Sequence, residues 1–249
     1  MKSDATSHKE LIFLGNWTPE KLDALLRKSS EINDDGLRID FLSKQFLGTP
    51  YQESTLVGDM NTPEVFVINL EAVDCFTFLD YIESMRRSFS FDEFRENLRK
   101  VRYRGGDVNF KSRNHFFTDW REFNSDLIED VTGMIGGNKT IEARKMLNVK
   151  DDRTYFLPGI QPKERVIHYI PVNAIDDLII SKLRTGDYIG IYSEKQGLDI
   201  SHTGIFINEE NKTYLRHASS LKEYRKVVDQ DFRDYIAEKT GILVFRSKK

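Results

Sequence analysis

The stretch ISHTGIFINEENKTYLRHAS, residues 200–219, predicts two antiparallel strands joined by a polar turn. Both arms are rich in β-branched and aromatic residues. If the loop comprises residues 209–212, Asn208 pairs with Thr213 and the register of the hairpin is fixed. Similar short runs, bounded by turn residues, predict further strands at 165–172, 186–193 and 242–247.

The predicted register brings two histidines together. It sets Gly204 opposite His217 and Ser219 opposite His202, so both imidazoles project from one sheet face as diagonal neighbours. A slip of one residue would send them to opposite faces. Either histidine alone is more typical of a satisfied structural residue, but the pair beside a glycine favours a functional site. The other histidines are His8, His115 and His168.

Helices precede most of these strands. Apolar periodicity and capping residues predict them at 18–32, 34–48, 70–87, 90–103 and 174–183. Helices followed by a run of antiparallel strands indicate the α+β class. We predict a single domain over residues 1–249. It comprises N-terminal helices at about 1–47, a core at about 48–86 and 166–249, and a large mixed insertion at about 87–165.

The composition excludes several function classes. A net charge of −3 argues against a nucleic-acid binder, which needs a basic excess. A single cysteine in 249 residues allows no internal disulfide and no cysteine-rich metal site, and no other metal-ligand spacing occurs. We therefore expect no metal and no organic cofactor. No apolar stretch approaches the length of a membrane span. Nothing in the sequence specifies an oligomeric state.

The single cysteine, Cys75, lies in NLEAVDCFTFLDYI. Its spacing to Phe78 and Ile82 follows one apolar helix face, which favours a small buried hydrophobe. Asp74, however, indicates a helix start at this point, and a helix N-terminus stabilises a thiolate. A nucleophilic cysteine also needs a base, and His202 lies at the long downstream separation that papain-like proteases show. From these residues alone both interpretations stay open.

A second candidate segment is SRNHFFTDW, residues 112–120. It could be a core segment with a surface arginine. It could equally form the wall of a ligand site, because aromatic rings stack on sugars and arginine binds carboxylates through two hydrogen bonds.

Together these motifs resemble the NlpC-type superfamily of papain-fold cell-wall hydrolases. The resemblance rests on the dipeptide DC at a helix start, GDYIGIY, SHTGIFI and LRHAS, with LGTPYQ upstream. It implies a papain-like fold in which the nucleophile helix packs on an antiparallel sheet. It also implies that Cys75 attacks an amide, that His202 is the base and that His217 orients the base. Tyr51 then lies near the nucleophile.

The blocks INLEAVDCFTFLDYI, SRNHFFTDWREFN, GLDISHTGIFI and RHASS are similar to one branch of that superfamily, the N-acetylmuramoyl-L-alanine amidase-like proteins. This branch is implied to cut between N-acetylmuramic acid and L-alanine in peptidoglycan or muropeptides, with anhydro-muropeptides among the implied substrates. Where the superfamily usually has a W-G-G segment, this chain reads YQESTLVG, which implies a reshaped cleft. The alternatives are a γ-D-glutamyl-diamino acid endopeptidase, a glycosidase, and a non-catalytic muropeptide-binding module.

We expect the pKa of the Cys75 thiol to be lowered by His202 and by the helix terminus. Its backbone N–H is the expected oxyanion donor, with Tyr51 as a second. We assign substrate contacts to Tyr51, Asp74, Arg113, His115, Trp120 and Ser201. The implied partners are peptidoglycan fragments. The implied location is the periplasm or another site of export, with the export signal absent from this sequence, and the alternative is the cytoplasm.

Overall fold

A computed structural model describes residues 9–210 and 212–248. His8, the first eight residues of the predicted N-terminal helical part, and residue 211 of the predicted loop lie outside the described residues. Within those bounds the chain is an α+β protein with helices on a mainly antiparallel sheet. No helix in the described ranges is long and apolar enough to span a membrane.

Eight α-helices occur in the described residues. They are α1 (Pro19–Ser30), α2 (Asp35–Lys44), α3 (Cys75–Arg86), α4 (Phe91–Arg102), α5 (Phe117–Phe123), α6 (Thr132–Gly136), α7 (Asp177–Ile180) and α8 (Phe232–Ile236). The first four confirm predicted helices, and each begins after a side chain that accepts a backbone N–H: Thr18, Asp34, Asp74 and Ser90.

Ten strands build two sheets in these residues. They are β1 (Glu10–Phe13), β2 (Phe66–Asn69), β3 (Ile128–Asp130), β4 (Ile141–Leu147), β5 (Lys163–Pro171), β6 (Tyr188–Tyr192), β7 (Ile200–Glu209), β8 (Lys212–Ala218), β9 (Val227–Asp231) and β10 (Gly241–Ser247). The large sheet has the order β4-β5-β10-β6-β7-β8-β9, and β3 also pairs with β10. The small sheet pairs β1 with β2 in parallel.

Some predicted bounds were wrong. The helix expected at 174–183 is a single turn, α7, because Asp176 caps it and Leu183 already turns towards β6. The second helix ends at Lys44 rather than at Gly48, and turns fill the interval. Strands β1, β2, β3, β4 and β9 had not been predicted. Their alternation is weak, and β1, β2 and β3 are only three or four residues long.

The predicted register of the hairpin is confirmed. Asn208 pairs with Thr213, and Glu209 also pairs with Lys212, so the turn is shorter than expected. Gly204 is required by packing, because a Cβ atom there would lie 2.7 Å from Cδ1 of Leu215. His202 and His217 are consequently neighbours.

Two apolar clusters cover the two faces of the large sheet. The larger joins α1 to α5 to one face, and the smaller places α6, α7 and α8 on the other. Side chains alternate along β7. Thr203 contacts α3, whereas His202 shares its face with Phe206 of the smaller cluster. The start of β7 is therefore where the helix that begins at Cys75 and the histidine face of the sheet come together.

Candidate active site

Cys75 occupies the first position of α3, with Asp74 as its N-cap. Asp74 Oδ1 accepts the N–H groups of Phe76 (2.9 Å) and Thr77 (2.7 Å), and Thr77 Oγ1 accepts the N–H of Asp74 at 3.1 Å. This reciprocal capping box leaves the N–H of Cys75 without an acceptor among the described residues. A free donor beside the sulfur is what an oxyanion site requires.

Thr203 connects this helix start to β7. Its Oγ1 donates a hydrogen bond to the carbonyl oxygen of Cys75 at 2.7 Å. The backbone and the side chain of Thr203 both act to lower the pKa of the Cys75 thiol. Because Thr203 follows His202 directly, one dipeptide positions both the cysteine backbone and the candidate base.

The expected lowering of the pKa of Cys75 was wrong. Burial of the thiol and, to a smaller extent, the Asp74 carboxylate raise its pKa to about 11, against the opposing effect of Thr203. Desolvation penalises the charged form more than a helix N-terminus stabilises it, particularly when that terminus carries its own carboxylate cap. The thiol is therefore neutral in the unliganded protein.

Three side chains form a hydrogen-bonded chain beside the cysteine. His202 Nε2 lies 2.7 Å from His217 Nδ1, and His217 Nε2 lies 2.6 Å from Gln230 Oε1. An amide oxygen can only accept, so His217 Nε2 carries the proton and its Nδ1 accepts from His202 Nε2. His202 Nδ1 is then left with a lone pair, which is the form that a general base needs.

Both imidazoles are neutral at neutral pH. Burial and, to a smaller extent, the neighbouring His217 and Lys239 lower the pKa of His202 to about 3. Burial also lowers the pKa of His217 to about 4, against the hydrogen bond to Gln230. The resting pair is thus a neutral thiol and a neutral imidazole rather than an ion pair.

Three cavities surround these residues. The cysteine cavity, about 250 Å³, is lined by Cys75, His202, Phe76, His115, Phe117 and Phe156 among others. The histidine cavity, about 230 Å³, is lined by His202, His217, Tyr235, Lys239, Ser219 and Ser220 among others. The arginine cavity, about 540 Å³, contains Asp74 and Arg113 and shares Phe156 with the cysteine cavity. Cys75 and His202, the candidate nucleophile and base, therefore both line the cysteine cavity. The arginine cavity and the histidine cavity adjoin it through shared residues.

The predicted contact residues are distributed over these cavities. Ser201 lines both the cysteine and the histidine cavity. Tyr51 is half-buried, burial raises its pKa, and its backbone pairs with Val73, two residues before Cys75. It therefore lies near the cysteine, as predicted. Arg113 donates to Glu64 at 3.0 Å and to the carbonyl of Gly58 at 3.2 Å, so its guanidinium is partly committed to the protein.

His115 faces the cysteine cavity as a neutral ring. Its Nε2 donates to the carbonyl oxygen of Phe110 at 2.7 Å, and burial lowers its pKa to about 4. Nδ1 is then an acceptor, which suits a hydroxyl or amide N–H of a ligand.

The prediction for Trp120 was wrong. Its side chain is 0% exposed, stacks on Phe117 and donates Nε1–H to Asp80 Oδ1 at 3.1 Å. Trp120 is thus a core residue behind the wall of the cysteine cavity and makes no contact with that space.

Sequence reasoning missed four residues of the site: Thr203, Gln230, Tyr235 and Lys239. Thr203 could have been found from its place beside His202. Gln230 lies on the unpredicted strand β9, two residues after Val228, which is the partner of His217. Tyr235 and Lys239 lie in and after the short helix α8, where no local pattern marks them. Over the described ranges, no three His, Cys, Asp or Glu side chains are placed to hold a metal ion.

Comparison with known proteins identifies the family of the chain. The sequence profile of the AmiA-like, N-acetylmuramoyl-L-alanine amidase-like family matches residues 41–242. The chain belongs to this family. The match includes the cysteine, both histidines and Gln230, and ends within β10. No curated protein matches the chain.

Solved structures of similar fold include proteins that are described under different functions. A Legionella pneumophila protein is 25% identical, with a TM-score of 0.76, over 92% of this chain and 95% of that one. An N-acetylmuramoyl-L-alanine amidase from Bacteroides uniformis is 28% identical, with a TM-score of 0.70, over 86% and 99%. A proposed xylanase from Bacteroides fragilis is 28% identical, with a TM-score of 0.63, over 85% and 99%.

Proposed function

We propose that this protein is a cysteine amidase that hydrolyses the bond between N-acetylmuramic acid and L-alanine in peptidoglycan fragments. The observation that carries the proposal is the hydrogen-bonded chain from Gln230 through His217 to His202, which leaves a basic nitrogen at the cavity that Cys75 lines. Family membership supplies the substrate class. Cys75 is the nucleophile, His202 the general base and His217 the orienting residue.

The mechanism starts from the neutral pair. His202 Nδ1 accepts the thiol proton as the sulfur attacks the lactyl carbonyl carbon, and the carbonyl oxygen becomes an oxyanion near the free N–H of Cys75. His202 then gives that proton to the leaving nitrogen of L-alanine, the C–N bond breaks, and a thioester remains. Water, deprotonated by the same imidazole, cleaves the thioester and restores the thiol.

The proposal also covers the fold family and the cellular location of the protein. The arrangement of α3 on β7 and β8 supports a papain-like fold of the NlpC type, with residues 87–165 as the insertion. Muropeptides arise from the cell wall, so the protein is proposed to act as an exported, periplasmic enzyme.

Three other functions remain as outcomes of the test. A γ-D-glutamyl-diamino acid endopeptidase would use the same residues on a different bond. A non-catalytic muropeptide-binding module is favoured by one observation, the raised pKa of Cys75, since an inert buried thiol has this property. The name of the Bacteroides fragilis structure adds a glycosidase, which would not need the thiol.

The deciding experiment is mass spectrometry of N-acetylmuramoyl tripeptide, in normal and anhydro forms, after incubation with wild type, Cys75→Ala and His202→Ala. Free sugar and intact tripeptide from wild type alone would support the amidase. A cut within the peptide would indicate the endopeptidase, and activity that survives Cys75→Ala on a glycan substrate would indicate the glycosidase. Binding without any cleavage by folded wild type would indicate the module.

A further inference from the structure

The histidine cavity contains a cation that the mechanism does not use. Lys239 is half-buried, and its Nζ lies 5.3 Å from the centroid of the Tyr235 ring. No Asp or Glu among the described residues forms an ion pair with it, and no carboxylate lines the cavity. An ammonium held over an aromatic ring without a counter-ion is a site for an anion.

Two hydroxyl groups complete this site. Ser219 and Ser220 line the same cavity, and neither hydroxyl donates a hydrogen bond to an acceptor in the described part of the chain. Ser219 is 1% exposed, so its position is fixed by packing rather than by solvent. One ammonium and two hydroxyl donors match the acceptor oxygens of a carboxylate.

The chemistry of amide cleavage places the leaving group on this side. His202 must reach the leaving nitrogen to protonate it, so the leaving peptide extends from Cys75 past His202. His202 lines both the cysteine and the histidine cavity, and the space beyond it is the one that contains Lys239. A dipeptide spans up to about 7 Å, and the Tyr235 ring lies 6.1 Å from the His202 ring.

The substrate has its carboxylates on that same portion. In an N-acetylmuramoyl peptide the lactyl carboxyl is consumed in the scissile amide, so every free carboxylate belongs to the peptide. The aromatic residues of the cysteine cavity, Phe76, Phe117 and Phe156, then remain for the muramoyl side.

We propose that Lys239, Ser219 and Ser220 bind a carboxylate of the leaving peptide, so that the histidine cavity is the peptide subsite of the enzyme. The direction of the substrate in this inference rests on the proposed amidase function. The bound anion also acts on the base. Lys239 is among the causes that lower the pKa of both His202 and His217, and a carboxylate beside it offsets that effect as His202 accepts the thiol proton.

The test compares two substrates: N-acetylmuramoyl-L-alanyl-D-glutamate, and the same molecule with both glutamate carboxyls amidated. Wild type should prefer the carboxylate form in kcat/KM by roughly 10- to 100-fold. Lys239→Met, which keeps the aliphatic stem over Tyr235, should remove this preference, and Lys239→Arg should retain it. Lys100→Met, an exposed lysine on α4, is the charge-matched control. Equal losses on both substrates, or no preference in wild type, would overturn the subsite.

A binding arm separates this inference from the proposed function. Calorimetry with Cys75→Ala should give tighter binding of the carboxylate form, and adding Lys239→Met should abolish the difference. If wild type cleaves neither substrate while this difference holds, the amidase proposal fails and the anion subsite stands. If the two forms bind equally, or neither binds, the subsite is wrong whatever the activity.

Discussion

His217 Nε2 lies 2.6 Å from Gln230 Oε1, and this contact determines which nitrogens of the histidine pair carry protons. Because the amide oxygen holds a proton on Nε2 of His217, the next proton in the chain lies on Nε2 of His202. The basic nitrogen of His202 therefore depends on a residue of β9 that touches neither the thiol nor the cysteine cavity.

Gln230→Leu should lower kcat by roughly 10- to 100-fold with little change in KM, because a buried hydrogen bond is lost and the tautomers are no longer fixed. Gln230→Glu keeps an acceptor at this position and should retain most of the activity. Its carboxylate also favours protonated His217, so the acid limb of the kcat profile should move to higher pH. A Leu variant with unchanged kcat and an unchanged histidine ¹⁵N spectrum would contradict this positioning role.

Alkylation reports on the thiol directly, because Cys75 is the only cysteine. With a pKa of about 11, it should react slowly with iodoacetamide at pH 8 and much faster only above pH 10. Asp74→Asn removes the carboxylate but keeps a good N-cap, so the alkylation rate at pH 8 should rise. Asp34→Asn makes the same change at the cap of α2 and should leave the rate as it is. Fast wild-type alkylation at pH 7 would disprove the neutral resting thiol.

Acid should destabilise the fold through its buried histidines. The pKa of His217 is about 4 in the folded protein, against about 6.5 in an unfolded chain. Between these values the unfolded chain binds the proton and the folded protein does not. The free energy of unfolding should therefore fall by about 2 kcal/mol for this group from pH 7 to pH 5.

Urea unfolding of wild type and His217→Gln at both pH values measures this effect. The variant should lose less stability on acidification than wild type. His168→Gln, at an exposed side chain on β5, is the matched control. A variant with the same pH dependence as wild type would contradict the assignment.

Trp120→Phe should act on stability rather than on substrate binding. It removes the hydrogen bond to the buried Asp80 and leaves a small void beside Phe117, at a cost of about 2–4 kcal/mol. KM should change less than twofold, because the ring does not reach the cysteine cavity. Trp17→Phe, at the half-buried second tryptophan, should cost less. A large rise in KM with unchanged stability would restore the original interpretation of Trp120.

Local sequence patterns predicted those parts of the fold that depend on neighbouring residues, namely helix starts and the hairpin turn. Capping residues located the starts of α1 and α4, and the polar turn after Asn208 located the hairpin register. Asp74 indicated the start of α3, although the predicted range began four residues earlier, at Leu70. The proximity of His202 and His217 followed from that register. Strand β9 was missed, because its side chains alternate only weakly and it is recruited by pairing with β8.

The pKa values of the site residues depend on how deeply their side chains are buried, and no local sequence pattern reports this burial. A helix N-terminus suggested a low pKa for Cys75, but the desolvation of the thiol outweighs it. Trp120 lies in a segment whose other aromatic residues line the cysteine cavity. Its own ring packs against Tyr188 and Asp80 instead, and therefore faces the core. Packing between distant parts of the chain therefore determines both the charge state of the site residues and which side chains reach the cavity.

The protonation state of the Cys75 thiol also affects how readily this residue is oxidised. A thiolate attacks peroxides and disulfides far more readily than a thiol does, so a cysteine that stays protonated near neutral pH resists sulfenic acid formation and mixed disulfides. With no second cysteine in the chain to restore it, an oxidised Cys75 would depend on an external reductant. Low reactivity without substrate therefore preserves the one sulfur that the proposed mechanism uses.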